Sequence, residues 1–205
     1  NAAYFNTFDD NFVMNIQGAN SFAVDIGLGN ENIYKNMAEY YRKLGYYDTG
    51  IFATDIVTRL LFEKGDADLA VSLLTNNGDQ GYEHWRRNGA TTFHEYWDSN
   101  RSRSHSHPMF GSTVAYIFEY LLGIKQADKS VGYKSLVIAP KSVDRFTRMS
   151  GSMKITTGIV SVKYENNSGK VRFSVSIPVG TKAIFVCSDK SFDLSEGENE
   201  FEITL

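Results

Sequence analysis

The stretch GATTFHEYWDS, residues 89–99, places a single carboxylate, Glu95, among aromatic residues. If this stretch is extended, successive side chains point to opposite faces, so Phe93, Glu95 and Trp97 share one side. A glutamate in such a setting can take a proton from water or give one to a leaving oxygen. A surface ion pair with an arginine accounts for Glu95 equally well, and the residues alone leave both interpretations open. The candidate partners for that ion pair are Arg86, Arg87, Arg101 and Arg103.

All four histidines and both tryptophans of the chain fall within residues 84–107. Functional residues are concentrated on irregular segments that a rigid scaffold holds, and this window is the least regular part of the first half. The alternative is an aromatic loop without a function. His105 and His107, with His84 and His94 nearby, suggest a metal site, but their spacing matches no compact zinc pattern. We therefore expect no bound metal and no cofactor.

The first half of the chain, to about residue 125, has apolar side chains at helical spacing in segments that end at glycines. Short links between such segments are typical of packed antiparallel helical hairpins. Asp66 is a predicted N-cap. The predicted helix stops are Gly27, Gly45, Gly65, Gly78 and Gly123.

From about Tyr133 the hydrophobic period changes to two. GIVSVKYE, the turn NNSG and KVRFSVSIP predict a β-hairpin, and TKAIFVC and NEFEITL predict two more strands. Alternation at Val171, Phe173, Val175 and Ile177 indicates one buried and one solvated face, as in a small antiparallel sandwich. We place a helical domain at residues 1–128 and a β-sandwich at residues 129–205.

The composition excludes several classes of protein. The 205 residues carry a net charge of −3, which predicts no nucleic-acid partner. No apolar run approaches the ~20 residues of a membrane-spanning helix, so we expect no membrane span. The one cysteine, Cys187, excludes an internal disulfide, and its apolar strand context predicts a buried side chain rather than a nucleophile. The aromatic content of 14% suits sugar stacking as well as an ordinary core.

Several short motifs occur in an order and spacing that resemble one family. GATTFHEYWD, residues 89–98, is similar to the pattern GATT-x-W-E-x-W-D, with His94 in place of the tryptophan before the glutamate. Two further stretches are similar to patterns of the same family: SHPMFG (106–111) to N-H-x-x-F-G, and QGANSFA (17–23) to Q-x-A-N-x-F-A. TGI (49–51) is similar to the family's entry to a helix, and LGI (122–124) to its helix stop. Together they resemble the C-terminal part of bacterial α-L-rhamnosidases, the inverting glycoside hydrolases of family 78.

The resemblance implies a role for three residues. In that family the glutamate at the Glu95 position is the general base that activates water, and the histidine at the His107 position contacts rhamnose hydroxyls. Trp97 would help to wall the sugar pocket. The implied function is inverting hydrolysis of terminal α-L-rhamnosyl residues from glycans or glycosides, with a rhamnose-containing carbohydrate as the partner. The substitution at His94 bears on which sugar is bound.

An inverting hydrolase also needs an acid that protonates the leaving oxygen, roughly 6.5–9.5 Å from the base. In the family this acid lies in an upstream acidic motif, and residues 1–80 contain no such motif. The family's catalytic domain is a barrel of six helical hairpins. The resemblance therefore implies a partial (α/α)6 barrel followed by a β-sandwich. We expect residues 1–205 to be an inactive C-terminal part of a longer enzyme, the chain starting at Asn1 without a methionine.

The alternative function is a non-catalytic carbohydrate-binding or interaction module with the same ancestry. A half-barrel leaves apolar helix faces exposed, which favours a homo-oligomer formed through those faces. Among the cellular compartments, the periplasm and the cell exterior are favoured, and the cytoplasm stays open.

Overall fold

The chain is described by a computed structural model that covers residues 5–6, 11–12, 16–167 and 169–204. It divides into two compact units, one ending at Val114 and one beginning at Ala115. Helices dominate the first unit and strands the second, as the change of period indicates. The domain boundary after residue 128 stays a prediction.

The helical unit begins with a short antiparallel pair, β1 (Phe5–Asn6) with β2 (Asn11–Phe12). Its helices are α1 (Gln17–Asp25), α2 (Glu31–Leu44), α3 (Ile51–Glu63), α4 (Ala67–Leu74) and α5 (Tyr82–Arg87). Helix α1 packs on α2 and α3, and α4 packs on the same two helices. The core between them contains the fully buried side chains of Met37, Tyr41, Val57, Leu61 and Leu73.

Helix α2 shows how local sequence sets the helix ends. The Asn30 side chain accepts hydrogen bonds from the backbone N–H groups of Asn32 and Ile33 at 3.0 and 3.1 Å, which satisfies donors that have no partner within the helix. At the other end Gly45 has a φ of 78°, and its N–H donates to the Tyr41 carbonyl. The predicted stop at Gly45 is confirmed, because glycine adopts this left-handed conformation without a steric penalty.

Asp66 is the N-cap residue of α4, as predicted, but its side chain makes no cap hydrogen bond, because its carboxylate is held by the Tyr34 hydroxyl and the Arg42 guanidinium. The predicted stop of α4 at Gly78 is wrong, because the helix ends earlier, at Leu74. At this earlier end the Thr75 hydroxyl donates a hydrogen bond to the Val71 carbonyl at 2.8 Å.

The helical run before the predicted stop at Gly123 is wound in three ways. A 3₁₀ turn spans Pro108–Ser112, followed by α6 (Thr113–Tyr116) and a π-helical turn (Ile117–Leu121). Gly123 follows this turn with a φ of 74°, so the predicted stop lies where the structure ends the helical run.

Two four-stranded sheets form the second unit. Its strands are β3 (Ile124–Gln126), β4 (Ser135–Ile138), β5 (Arg148–Ile155), β6 (Gly158–Asn167), β7 (Lys170–Ile177), β8 (Lys182–Cys187), β9 (Lys190–Leu194) and β10 (Gly197–Thr204). One sheet has the order β10-β7-β6-β5 and the other β3-β4-β8-β9. The hairpin predicted over GIVSVKYENNSGKVRFSVSIP is confirmed as β6 and β7. The sandwich is antiparallel except for one pair, β4 with β8.

The inner faces of the two sheets share one core. Val171, Phe173, Val175 and Ile177 are at most 3% exposed, as their alternation predicts. The ring of Phe173 on β7 lies 4.9 Å from that of Phe185 on β8, so side chains from both sheets meet edge to face.

Over the residues that the structure describes, no helix combines the length and apolar character needed to cross a bilayer.

Candidate functional site

Residues 92–107 form a loop with two arms, called here the cleft loop. The Phe93 carbonyl accepts a hydrogen bond from the His107 N–H at 2.7 Å, and the Glu95 N–H donates to the Ser104 carbonyl at 3.0 Å. A 3₁₀ turn, Ser99–Arg101, forms the tip between the arms. These bonds run from arm to arm, so the position of Glu95 depends on the second arm as well as the first.

The first arm bends and forms no strand, so the extended arrangement considered for Phe93, Glu95 and Trp97 does not occur. The Phe93 ring packs edge to face against Tyr82, with ring centroids 5.9 Å apart, and approaches Gly111. Glu95 and Trp97 instead line a cleft. The bends separate side chains that regular alternation would have kept on one face.

The cleft has a volume of about 730 Å³, within the range of small-molecule sites. Side chains from the loop before α3, the loop before α5 and the cleft loop meet here. The lining residues are Asp48, Thr49, Gly50, Asp79, Gln80, His84, Glu95, Tyr96, Trp97, Asp98, Asn100, Arg101 and Phe110.

Glu95 is half-buried in this cleft. Its Oε2 accepts a hydrogen bond from the Arg103 backbone N–H at 3.3 Å, while Oε1 has no hydrogen-bond donor among the described residues. The carboxylate also forms no ion pair with them, so the surface ion-pair interpretation finds no partner there. Two of the candidate arginines bind elsewhere, Arg86 to Glu83 and Arg87 to the Asn77 carbonyl. One carboxylate oxygen is therefore available to water or a ligand.

Trp97 is only 8% exposed and joins the cleft to an aromatic cluster. Its indole lies 4.9 Å from that of Trp85 at an angle of 19°, and 6.0 Å from the Tyr47 ring at 5°. Its Nε1–H donates to the Thr49 carbonyl at 2.8 Å, and its own carbonyl accepts from Trp85 Nε1 at 3.1 Å. These contacts fix one rigid aromatic wall of the cleft beside Glu95.

His107 is not among the residues that line the cleft. It precedes the 3₁₀ turn at Pro108, and its backbone N–H is bound to Phe93. Its Nε2 is buried without a hydrogen-bond partner in the described parts of the chain. The structure thus brings Glu95 and Trp97 together and leaves the contact between His107 and a sugar as a prediction.

His94, which stands where the resemblance has a tryptophan, is 8% exposed. Its ring stacks on the His105 ring at 4.2 Å and 13°, and its Nδ1 lies 2.9 Å from the Ser99 hydroxyl. Burial lowers the pKa of His94, and the neighbouring His105 lowers it further. Both effects favour the neutral ring.

Three acidic side chains of the cleft were not predicted as lining residues. Asp48 accepts hydrogen bonds from the Tyr40 and Tyr41 hydroxyls at 2.7 and 2.9 Å, and the bond to Asp48 raises the pKa of Tyr40 to about 12. Asp79 lies 3.3 Å from His84 Nδ1, and Asp98 caps the turn at the tip of the cleft loop. Their one sequence signal is that each lies in a polar segment just before or after a helix.

Metal ligands do not gather in the described residues, where no three histidine, cysteine or acidic side chains come close enough to hold an ion. Of the four histidines, His94 and His105 stack on one another and His84 faces Asp79.

The comparison with protein families gives two matches that cover the chain in sequence order. The bacterial α-L-rhamnosidase six-hairpin glycosidase domain matches residues 1–121, which is more than half of the chain. The chain belongs to the bacterial α-L-rhamnosidase family. The C-terminal domain of bacterial α-L-rhamnosidases matches residues 123–202. The helical unit is thus part of a six-hairpin domain, and the sheets form the domain that follows it.

Individual relatives agree with this rhamnosidase assignment. An α-L-rhamnosidase of Formosa agariphila is 29% identical over 156 residues, which is 74% of this chain and 16% of that protein. The structure of Streptomyces avermitilis α-L-rhamnosidase complexed with L-rhamnose matches 98% of this chain and 23% of that one, with a TM-score of 0.80 and 22% identity. The α-L-rhamnosidase structure from Dictyoglumus thermophilum matches 93% of this chain and 25% of that one, with a TM-score of 0.80 and 19% identity. The chain therefore spans about one sixth of the length of the Formosa relative.

Proposed function

We propose that this chain supplies the general base and part of the sugar pocket of an inverting α-L-rhamnosidase. Its substrates are glycans or glycosides with a terminal α-L-rhamnosyl residue. The observation that carries the proposal is Glu95, a half-buried carboxylate in a cleft of about 730 Å³, with one oxygen held by Arg103 N–H and the other without a donor among the described residues. An oriented carboxylate with an available oxygen suits the activation of water.

In the proposed reaction Glu95 takes a proton from a water molecule as the water oxygen bonds to the anomeric carbon. The bond from that carbon to the leaving oxygen breaks, and its electron pair goes to the leaving oxygen. An acid on the opposite side of the sugar protonates this oxygen, and the configuration at the anomeric carbon inverts. We propose that this acid lies in the family's acidic motif, on the N-terminal side of residue 1.

Two further residues are proposed to hold the sugar. The indole of Trp97 is fixed by the hydrogen bond to Thr49 and forms a wall against which a sugar face can pack. The buried Nε2 of His107 has no partner among the described residues, so a hydrogen bond to a rhamnose hydroxyl would satisfy it.

The test is hydrolysis of p-nitrophenyl α-L-rhamnoside by two proteins, residues 1–205 and the same chain preceded by the other helices of the six-hairpin domain. We expect the longer protein to release rhamnose, with the β-anomer as the first product in proton NMR spectra. Residues 1–205 alone should release none, since the acid is missing. Release of the α-anomer first would contradict the inverting mechanism. Turnover by residues 1–205 would show that the acid lies within them.

A further inference from the structure

Two histidine rings face each other across the cleft loop, and the proposed reaction uses neither. His94 lies on the first arm and His105 on the second, with ring centroids 4.2 Å apart and ring planes at 13°. Ser99, at the tip, contacts both, because its hydroxyl lies 2.9 Å from His94 Nδ1 and its carbonyl 3.3 Å from His105 Nε2. The pair and Ser99 therefore join the two arms through side chains.

The hydrogen bonds that hold Glu95 come from the arm to which His105 belongs. The Glu95 N–H donates to the Ser104 carbonyl at 3.0 Å, and Glu95 Oε2 accepts from the Arg103 N–H at 3.3 Å. Arg103 and Ser104 directly precede His105, and Glu95 directly follows His94. If the arms separated, Glu95 would lose both bonds at once.

We propose that the His94–His105 stack positions Glu95 by holding the arms of the cleft loop together, and that protonation of the stack releases Glu95. This inference rests on the proposed function in one respect, the role of Glu95 as base. His94 and His105 are positioning residues, because they act through Glu95 and not on the sugar.

The stack is stable only while at least one of its rings is neutral, because two imidazolium rings 4.2 Å apart repel each other. Among the described residues, Trp85 packs on the His94 ring and Ser99 lies within hydrogen-bond distance of both rings, and neither side chain carries a charge. Burial, and secondly His105, lower the pKa of His94, so the closed loop binds a proton less readily than the open loop. The stabilisation is therefore complete above the ordinary titration range of histidine and is lost as the pH falls through the lowered pKa of His94.

The first experiment measures hydrogen-exchange protection of the Glu95 and His107 amides in the complete enzyme, from about pH 7.5 to about pH 5. We expect protection to fall on acidification in the natural protein. His105→Phe keeps an exposed aromatic ring without a titrating proton, so the fall should be smaller, because only burial then lowers the pKa of His94. His105→Ala removes the stack and should lower protection about 2- to 10-fold throughout this range. Ser106→Ala, an exposed neighbour outside the stack, is the matched control and should behave as the natural protein.

The second experiment measures kcat and KM of the same variants with p-nitrophenyl α-L-rhamnoside. His105→Ala should lower kcat with little change in KM, and His105→Phe should move the acid limb of the kcat profile to lower pH. The inference is overturned if protection in His105→Ala is unchanged, or if protection falls while kcat stays the same. If the natural enzyme releases no rhamnose, the proposed function fails, and the exchange data alone decide whether the stack holds the loop.

Discussion

At the scale of single residues, the backbone of His107 has a structural role, and its side chain is proposed to have a binding role. Its backbone N–H bonds to the Phe93 carbonyl at 2.7 Å and is unaffected by a change of side chain. Its side-chain Nε2 is buried and has no partner among the described residues. Nε2 therefore makes no hydrogen bond within the described part of the fold, whereas a sugar hydroxyl would gain one from it.

We predict that His107→Ala in the complete enzyme weakens L-rhamnose binding roughly 2- to 10-fold, the loss of one hydrogen bond, and changes the Tm little. Calorimetric titration and a thermal melt measure the two effects. Ser106→Ala is the matched control. A large fall in Tm with unchanged affinity would instead mean that His107 serves the core.

The sequence brought together two residues of the cleft but not its full lining. Glu95 and Trp97 both line the cleft, because they are close in the chain and lie in one recognisable motif, and their roles stay predictions. Asp48 and Asp79 line it too, yet they come from two other loops, and only the packing of helices brings them to the cleft. Phe93 points elsewhere, because the chain bends where alternation assumed an extended strand.

At the scale of elements, glycines mark several boundaries, and Gly123 is the most restricted of them. It has a φ of 74°, and a Cβ at this position would overlap the backbone of Ala139 and Pro140. Its carbonyl accepts a hydrogen bond from the Ala139 N–H at 2.8 Å, which joins the end of the helical run to the segment after β4. Both the conformation and the close approach require a residue without a side chain.

We predict that Gly123→Ala lowers the free energy of unfolding by at least about 2 kcal/mol, since left-handed strain and a backbone clash add. Gly180→Ala is the control in the same unit. Gly180 has a φ of 81°, but its nearest neighbour, the Thr157 Cγ2, would be 3.9 Å from the new Cβ. This control should lose only about 1 kcal/mol in urea unfolding. Equal losses in the two variants would show that the clash at Gly123 is relieved.

Long elements, which repeat their apolar pattern many times, were predictable from the sequence, and short elements were not. Helices α2 and α3 and the hairpin β6–β7 each repeat their apolar pattern often enough to be recognised. Strand β3 has three residues and β4 has four, too few for a period of two to be distinguished from chance. The parallel pairing of β4 with β8 depends on strands far apart in the chain, so local patterns carry no information about it.

At the scale of the whole molecule, the chain consists of two units, and the candidate cleft belongs to one of them. Each unit has its own buried core, and the candidate cleft lies entirely within the helical one. The helical unit exposes large apolar side chains, among them Ile26, Leu28 and Phe52 at 64, 78 and 61%. Such exposure agrees with a surface that packs on something further, and the homo-oligomer stays a prediction.

The most direct test of the central claim, that Glu95 activates water, is the kcat of Glu95→Gln in the complete enzyme. Glutamine keeps the shape and the acceptor oxygen of Glu95 but cannot take a proton at neutral pH. We predict a fall in kcat of about 10²- to 10⁴-fold, the usual contribution of a general base, with the Kd for L-rhamnose nearly unchanged. Glu39→Gln, an exposed change on α2, should keep full activity. Near-normal turnover by Glu95→Gln would contradict the account, because another group would then have to take the proton from water.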